Sequence, residues 1–167
     1  WNWGFNISNI GNKITYTDET QRDFIPINLK LGTTLNLVMN EYNEVSFSAD
    51  LNKLLVPSNP IYKVDKDGNI IRDSITHKPI IEAPKNIKSI EDISVPQGMI
   101  QSFFDSPGTP QYNDTGLFIG IEKGSGFKEE IHEINPSIGI EYWYQKQFAG
   151  RIGYFYEHPT KGGRQYI

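Results

Sequence analysis

The chain has 167 residues, with 20 Asp and Glu against 16 Lys and Arg and a formal net charge of −4. The basic residues are scattered singly, whereas a nucleic-acid binder needs them concentrated, so these totals exclude a nucleic-acid partner. There is no cysteine, which is compatible with an exported protein held together by strand pairing, and no apolar run approaches the ~18–20 residues that a transmembrane helix needs.

Strict alternation predicts unusually long strands in the first part of the chain. Trp3, Phe5 and Ile7 alternate with small or polar residues and predict a first strand. From Ile25 to Met39 nearly every odd position is apolar and most even positions are polar or small. A period of two places these two sets on opposite faces of a strand. Ordinary strands have roughly 5–6 residues, so the length of this run favours a strand that crosses a bilayer, which needs about 9–11.

Two hairpins repeat this pattern. A short polar turn at 40–44 leads to an alternating run at 45–52, and a turn at 145–147 joins the runs 138–144 and 148–157. The connections at 8–24 and about 53–135 are long. Short turns on one side and long loops on the other are typical of outer-membrane barrels, with the short turns in the periplasm. Aromatic residues lie by the short turns, where a periplasmic girdle is expected: Tyr42, Tyr142, Trp143, Tyr144 and Phe148.

The two faces of these strands are expected to meet different surroundings. Arg or Lys facing lipid at the midplane costs roughly 2–4 kcal/mol, so we expect the polar set to face the lumen and to pair across strands. This set is Asn28, Lys30, Asn36, Ser46, Ser48, Asp50, Glu141, Arg151 and Glu157. The set expected to face lipid is Ile27, Leu29, Leu31, Leu35, Leu37, Val45, Phe47, Leu51, Ile138, Ile140, Tyr142, Ile152 and Tyr154.

The long connection contains local signals of its own. Asp67-Gly68 between apolar residues predicts a hairpin turn at 64–71, and 117–121 is a predicted strand. The prolines are expected to keep the rest out of helices and central strands. Segment 95–108 is a proline-bounded loop that is interpreted either as a partner-contact surface or as a plug in the barrel mouth. Its apolar candidates for contact are Met99, Ile100, Phe103 and Phe104.

The sequence predicts no enzyme site, metal site or cofactor. The three histidines are widely separated, and segment 65–69 lacks the glycine and glutamate offsets of a calcium loop. Segment 124–126 lacks the following helix that a phosphate site requires and is interpreted as a flexible loop. Glu129, Glu130 and Glu133 are interpreted as a solvated loop face, because nothing nearby suggests burial that would shift a pKa.

Five segments carry a further signal through their order and spacing: NISNIG at 6–11, DLNKLLVP at 50–57, IQSFFD at 100–105, EYWY at 141–144 and GYFYEH at 153–158. In this combination the chain resembles the PorV family of the type IX secretion system of Bacteroidetes. The resemblance implies a FadL-like outer-membrane barrel without enzyme activity. It also implies that the protein receives cargo, through the C-terminal signal domain of that cargo, from the large translocon barrel and passes it to the sortase-like surface attachment complex.

We therefore expect an all-β fold, an antiparallel transmembrane β-barrel of which residues 1–167 form a part. The extracellular loop region is expected at about 53–135, and the remaining strands elsewhere, because unpaired sheet edges in lipid cost several kcal/mol per group. Expected partners are the translocon, cargo signal domains, the attachment complex and membrane lipid. Two alternatives remain: a FadL-like transporter of hydrophobic small molecules, which needs a continuous apolar lumen pocket, and a soluble β-sandwich binding domain.

Overall fold

The computed structural model describes residues 1–15, 22–65, 67–85, 87–90, 92–114, 116 and 118–166. The chain divides into two compact units. Unit 1 comprises residues 1–10, 27–54 and 132–167, and unit 2 comprises residues 11–26 and 55–131. Within the described ranges, no helix has both the length and the apolar character needed to traverse a membrane.

The secondary structure is mainly extended. In chain order the elements are β1 (Asn2–Ser8), β2 (Asn28–Val38), β3 (Asn43–Leu54), β4 (Ile61–Tyr62), β5 (Ile81–Ala83), α1 (Val95–Gln101), β6 (Pro110–Tyr112), β7 (Phe118–Ile121), α2 (Ser125–His132), β8 (Ile134–Tyr144), β9 (Phe148–Tyr156), a short 3-10 helix (Pro159–Lys161) and β10 (Gln165–Tyr166). Unit 1 contains a six-stranded antiparallel sheet in the order β1-β2-β3-β8-β9-β10. The predicted all-β, antiparallel fold class is confirmed.

Both predicted short turns are present, and local chemistry explains them. Between β2 and β3 the side chain of Asn40 accepts hydrogen bonds from the Tyr42 backbone N–H at 3.0 Å and from the Asn43 amide at 2.7 Å. Between β8 and β9, Gln145 and Lys146 both have positive φ, 52° and 55°. Two successive left-handed residues match the twist of a tight hairpin, so this turn sets the register of the two strands.

Register keeps the alternating residues on one face across neighbouring strands. Leu31 lies opposite Leu51, which in turn lies opposite Pro136. The alternation extends beyond the strand at one end, since β2 begins at Asn28 rather than at the start of the alternating run. The expectation that Ile27 faces lipid is wrong, because this residue precedes the strand and its side chain is 0% exposed.

Unit 2 contains two small antiparallel pairs, β4 with β5 and β6 with β7. The predicted hairpin turn is confirmed: Val64 and Ile70 form an antiparallel bridge, and Gly68 has φ 85°. The Asp65 carboxylate accepts hydrogen bonds from the backbone N–H groups of Asn69 and Asp67, both at 2.9 Å. These bonds, with that of Asn69 first, lower the pKa of Asp65 below its ordinary value, so the motif is a turn stabilised by its aspartate.

Both helices lie in segments that were predicted to be loops. Residues 95–101 are helical and do not form the predicted loop. The helix tolerates Pro96 because this residue lies in the first turn, where a backbone N–H has no intrahelical acceptor. Helix α2 follows Gly124 directly, so the expectation that no helix follows 124–126 is also wrong. The predicted strand at 117–121 is β7, which pairs with β6 and not with the large sheet; Leu117 lies outside the described residues.

Candidate functional site

One face of the unit 1 sheet is apolar from β1 to β9. Most of the predicted lipid-facing side chains on it are exposed, with Ile140 at 46% and Ile152 at 63%. Leu29, Leu35 and Val45 are half-buried among their neighbours. Trp3 and Phe5 were not among the residues predicted to face lipid, but they extend the face onto β1 because they lie opposite Thr33 and Leu31. A continuous apolar face of this extent is rare on a water-soluble monomer and indicates contact with an apolar environment.

Aromatic residues border this face at the short-turn end. Tyr144 lies opposite Phe148, and the Tyr142 hydroxyl donates a hydrogen bond to the side chain of Asn43. Tyr42 joins them through its carbonyl oxygen, which accepts from the Gln145 N–H at 2.6 Å. Tyrosine suits a membrane–water interface because its ring is apolar and its hydroxyl is polar. The predicted girdle includes Trp143, but register places Trp143 opposite Glu44, on the other face of the sheet.

At the opposite end the apolar face stops at a charged cluster. Lys53 lies between Leu29 and Ile134 in the register, and only 7% of its side chain is exposed. Its ammonium group is 2.6 Å from Glu133 Oε2, and Lys161 Nζ is 3.1 Å from Glu133 Oε1. Glu133 therefore joins the end of β3 to the start of β8 and to the 3-10 helix.

The environment of Glu133 contradicts its assignment to a solvated loop face. Burial disfavours its charged form, but the hydrogen bonds and positive charges of Lys53 and Lys161 outweigh that effect and hold its pKa below the ordinary value. Glu130 is also engaged, because its carboxylate accepts from the Ser106 N–H at 2.8 Å. Both carboxylates connect segments of the fold.

Two of the three histidines, predicted to be isolated, are neighbours. The rings of His132 and His158 stack with centroids 3.5 Å apart and planes 7° apart. His158 Nδ1 accepts from the Thr160 N–H at 3.3 Å. Parallel stacking brings ring faces together and does not direct two ring nitrogens at a common point, as a metal site requires. In the described part of the chain, His, Asp and Glu side chains form no group of three or more that could hold a metal ion.

The polar face of the sheet pairs charges across strands, as predicted. Lys30 and Asp50 lie on neighbouring strands with 3.5 Å between Nζ and Oδ2, and Arg151 binds Glu141 across the β8–β9 pair. Glu157 accepts from the backbone N–H of Arg164 at 3.3 Å, which links β9 to the segment before β10. These contacts account for four of the charged residues predicted to face the lumen and for Glu157 at the strand end.

The predicted partner-contact residues form an exposed apolar surface at the end of α1, which we call the α1 surface (Met99, Ile100, Phe103 and Phe104). Met99 is half-buried, whereas the other three are exposed, with Phe104 at 69%. The two phenylalanine rings lie 6.3 Å apart. Sequence periodicity did not reveal this surface as helical, because α1 has only seven residues.

Buried polar groups hold the α1 surface in place. Ser102 is fully buried, and its hydroxyl donates to the Met99 carbonyl at 2.8 Å. Asp105 is also fully buried and accepts from the Ser58 N–H at 3.1 Å. Gln101 makes two hydrogen bonds of 3.2 Å with the backbone of Lys88. The exposed phenylalanines are therefore carried on a well-anchored segment.

Part of the chain matches a known family. Residues 1–61 match the family model of PorV, type IX secretion system protein PorV. The matched part contains β1, β2 and β3 and two of the five segments that carry the resemblance. The match bears out the resemblance to PorV and indicates a type IX secretion system protein. No curated protein matches the chain.

Proposed function

We propose, from the match of residues 1–61 to PorV, that this chain is part of an outer-membrane β-barrel that serves as a cargo adaptor of the type IX secretion system. The adaptor receives secreted cargo from the large translocon barrel by binding its C-terminal signal domain. It passes the cargo to the sortase-like surface attachment complex. The role is non-enzymatic and uses no cofactor.

The exposed apolar face of the sheet is the main observation that supports a location in the membrane. Strand β2 has 11 residues, which at ~3.3 Å per residue span about 36 Å. Tilted by ~40°, as in outer-membrane barrels, such a strand rises about 28 Å along the membrane normal, close to the ~25 Å apolar band of these proteins. The length and the apolar composition of the face thus support the same environment.

The ends of the strands support an orientation. The short turns with Tyr42, Tyr142, Tyr144 and Phe148 belong at the periplasmic interface, and the long connections belong outside the cell. The extracellular loop region at about 53–135 includes residues 55–131 of unit 2. In this orientation the Lys53–Glu133–Lys161 cluster lies toward the extracellular end of the strands.

The α1 surface is the proposed contact site for the translocon or for cargo. Its exposed phenylalanines supply the apolar, aromatic anchors that dominate protein interfaces. The FadL-like alternative requires a continuous apolar lumen, but the polar face of the described strands carries paired charges, hydroxyls and amides. The soluble β-sandwich alternative requires a second sheet packed on the apolar face, whereas the side chains of this face are exposed.

A co-purification experiment tests the adaptor role. In the full-length protein, Ile100→Ser, Phe103→Ser and Phe104→Ser together should reduce recovery of the translocon or of cargo signal domain at least about ten-fold, because hot-spot side chains dominate binding energy. The matched control is Ile75→Ser, which removes another exposed apolar side chain of unit 2, 88% exposed. Unchanged recovery of both partners with a correctly inserted triple variant would move the contact site away from α1.

A further inference from the structure

The polar face of the sheet contains a cavity near its short-turn end. It has a volume of about 570 Å³ and is formed entirely by residues of unit 1 on β2, β3, β8 and the β8–β9 turn. A second depression of about 290 Å³ lies beside it, over Gly139 and Gly153. The register explains this second depression: Ser48 lies opposite Gly139 and Gly139 lies opposite Gly153, so the two glycines leave its floor without side chains.

Trp143 forms one wall of this cavity and is an unusual residue for a polar face. Its indole N–H donates to the Glu141 carboxylate, which also binds the Arg151 guanidinium. The guanidinium carbon of Arg151 lies 5.5 Å from the centroid of the indole ring. This arrangement of a carboxylate and a cation fixes the orientation of the ring. Trp143 therefore presents a planar ring of fixed orientation to the polar cavity. It does not belong to the aromatic border on the other face.

The remaining walls offer hydrogen-bonding groups that the protein does not use. In the described part of the chain, the side chains that line the cavity without a hydrogen bond or ion pair to another residue are Thr34, Asn36, Glu44, Ser46 and Lys146. Thr34, Glu44 and Ser46 are half-buried and so partly withdrawn from bulk water, whereas Asn36 is exposed at the rim. Together the five side chains present donors and acceptors side by side: two hydroxyls, an amide, a carboxylate and an ammonium group.

We propose that this cavity binds a neutral, hydroxyl-rich ligand of the oligosaccharide class, with Trp143 as the stacking platform. A sugar hydroxyl both donates and accepts hydrogen bonds, so it satisfies a wall of mixed donors and acceptors. The flat C–H face of a sugar ring packs on an indole ring, which is large, apolar and rigid. Glu44 and Glu141 disfavour a phosphate or another anion, and the polar walls disfavour an acyl chain. This site goes beyond the adaptor role and does not depend on it.

Oligosaccharide titration tests the proposal. The full-length protein is purified in a dimethylamine-oxide detergent, because alkyl glycoside detergents present sugar rings of their own. Maltohexaose and cellohexaose are titrated by calorimetry and by saturation-transfer NMR. We expect one of them to bind with a dissociation constant on the order of 1 mM or tighter, and Trp143→Leu to weaken binding about ten-fold through loss of stacking. Trp3→Leu, the same change on the apolar face, should leave binding unchanged.

A second variant keeps the test independent of the stability of Trp143→Leu. Asn36→Leu removes an amide of the cavity but leaves the Trp143–Glu141–Arg151 contacts intact, and it should weaken binding several-fold. Near-ultraviolet circular dichroism confirms that each variant is folded. Absence of binding by both sugars, equal binding by wild type and both cavity variants, or binding of a control decapeptide in place of the sugars would overturn the proposal.

Discussion

Glu133 shows most clearly how single residues secure the ends of the long strands. Its two carboxylate oxygens bind two different lysines, and one of them, Lys53, is almost completely buried. Removing the carboxylate leaves a buried ammonium group without its main counter-charge, which is the costly way to break such a pair. The cluster allows a lysine to lie at the edge of an otherwise apolar face.

We predict that Glu133→Gln lowers the free energy of unfolding by about 2 kcal/mol at pH 7. Because the pKa of Glu133 is lowered in the folded protein, its contribution is present above the ordinary carboxyl pKa of about 4.3 and is lost as pH falls through the lowered value. The difference between wild type and variant should therefore be smaller at pH 3 than at pH 7. Urea unfolding in lipid vesicles at both pH values measures it.

Glu41→Gln is the control for this experiment, because Glu41 is exposed in the turn between β2 and β3. It should leave the free energy of unfolding within about 0.5 kcal/mol of wild type at both pH values. An equal loss of stability at pH 7 and at pH 3 in Glu133→Gln would show that lost packing, and not lost charge, causes the effect.

Contacts of this kind could not be predicted from sequence. Lys53 and Glu133 are 80 residues apart, and the stacked His132 and His158 are separated by β8 and β9. Only the pairing of β3 with β8 and of β8 with β9 brings them to the same end of the sheet. The neighbours of Glu133 along the chain are mostly polar or charged, so the sequence alone predicts a solvated position for it.

The strands were predictable from the sequence, whereas the helices were not. Strands β2, β3, β8 and β9 have nine to twelve residues, so the two-residue period repeats often enough to be unambiguous. Helices α1 and α2 have seven and eight residues, about two turns each. Two turns are too few for a helical period to be recognised in the sequence, and the glycine or proline within them is typical of a loop.

The alternation of β3 leads to a matched prediction. Ala49 and Ser48 are adjacent, so they lie at nearly the same depth, but they face opposite sides of the sheet. Ala49 lies on the apolar face and is exposed, so the sheet leaves room for a larger side chain at this position. If that face contacts lipid near the midplane, Ala49→Arg should lower the free energy of unfolding by roughly 2–4 kcal/mol.

Ser48→Arg is the comparison, because the introduced arginine side chain extends from the polar face of the sheet. We expect it to cost less than about 1 kcal/mol. Unfolding in vesicles of phosphatidylcholine, followed by heat-modifiable electrophoretic mobility, measures both variants. Equal effects of the two substitutions would contradict the assignment of the apolar face to lipid.

The two faces of the unit 1 sheet and the match to PorV support the same interpretation. The sheet has an apolar face long enough for a bilayer and a polar face with paired charges, and residues 1–61 match PorV. The fold class followed from the sequence because alternation is a local property. The anchoring of the α1 surface and the cavity beside Trp143 did not, because each requires residues from several elements to meet in space.

Spin labelling along β3 measures whether alternate residues of this strand contact lipid. The 167 residues contain no cysteine, so single cysteines can be placed from Glu44 to Asn52 and labelled without a competing site in this segment. In native membranes, accessibility to oxygen should peak at 45, 47, 49 and 51, and accessibility to a water-soluble nickel chelate should peak at the positions between them. If labels at 45, 47, 49 and 51 are inaccessible to both reagents, the apolar face is enclosed in protein, and the account is contradicted.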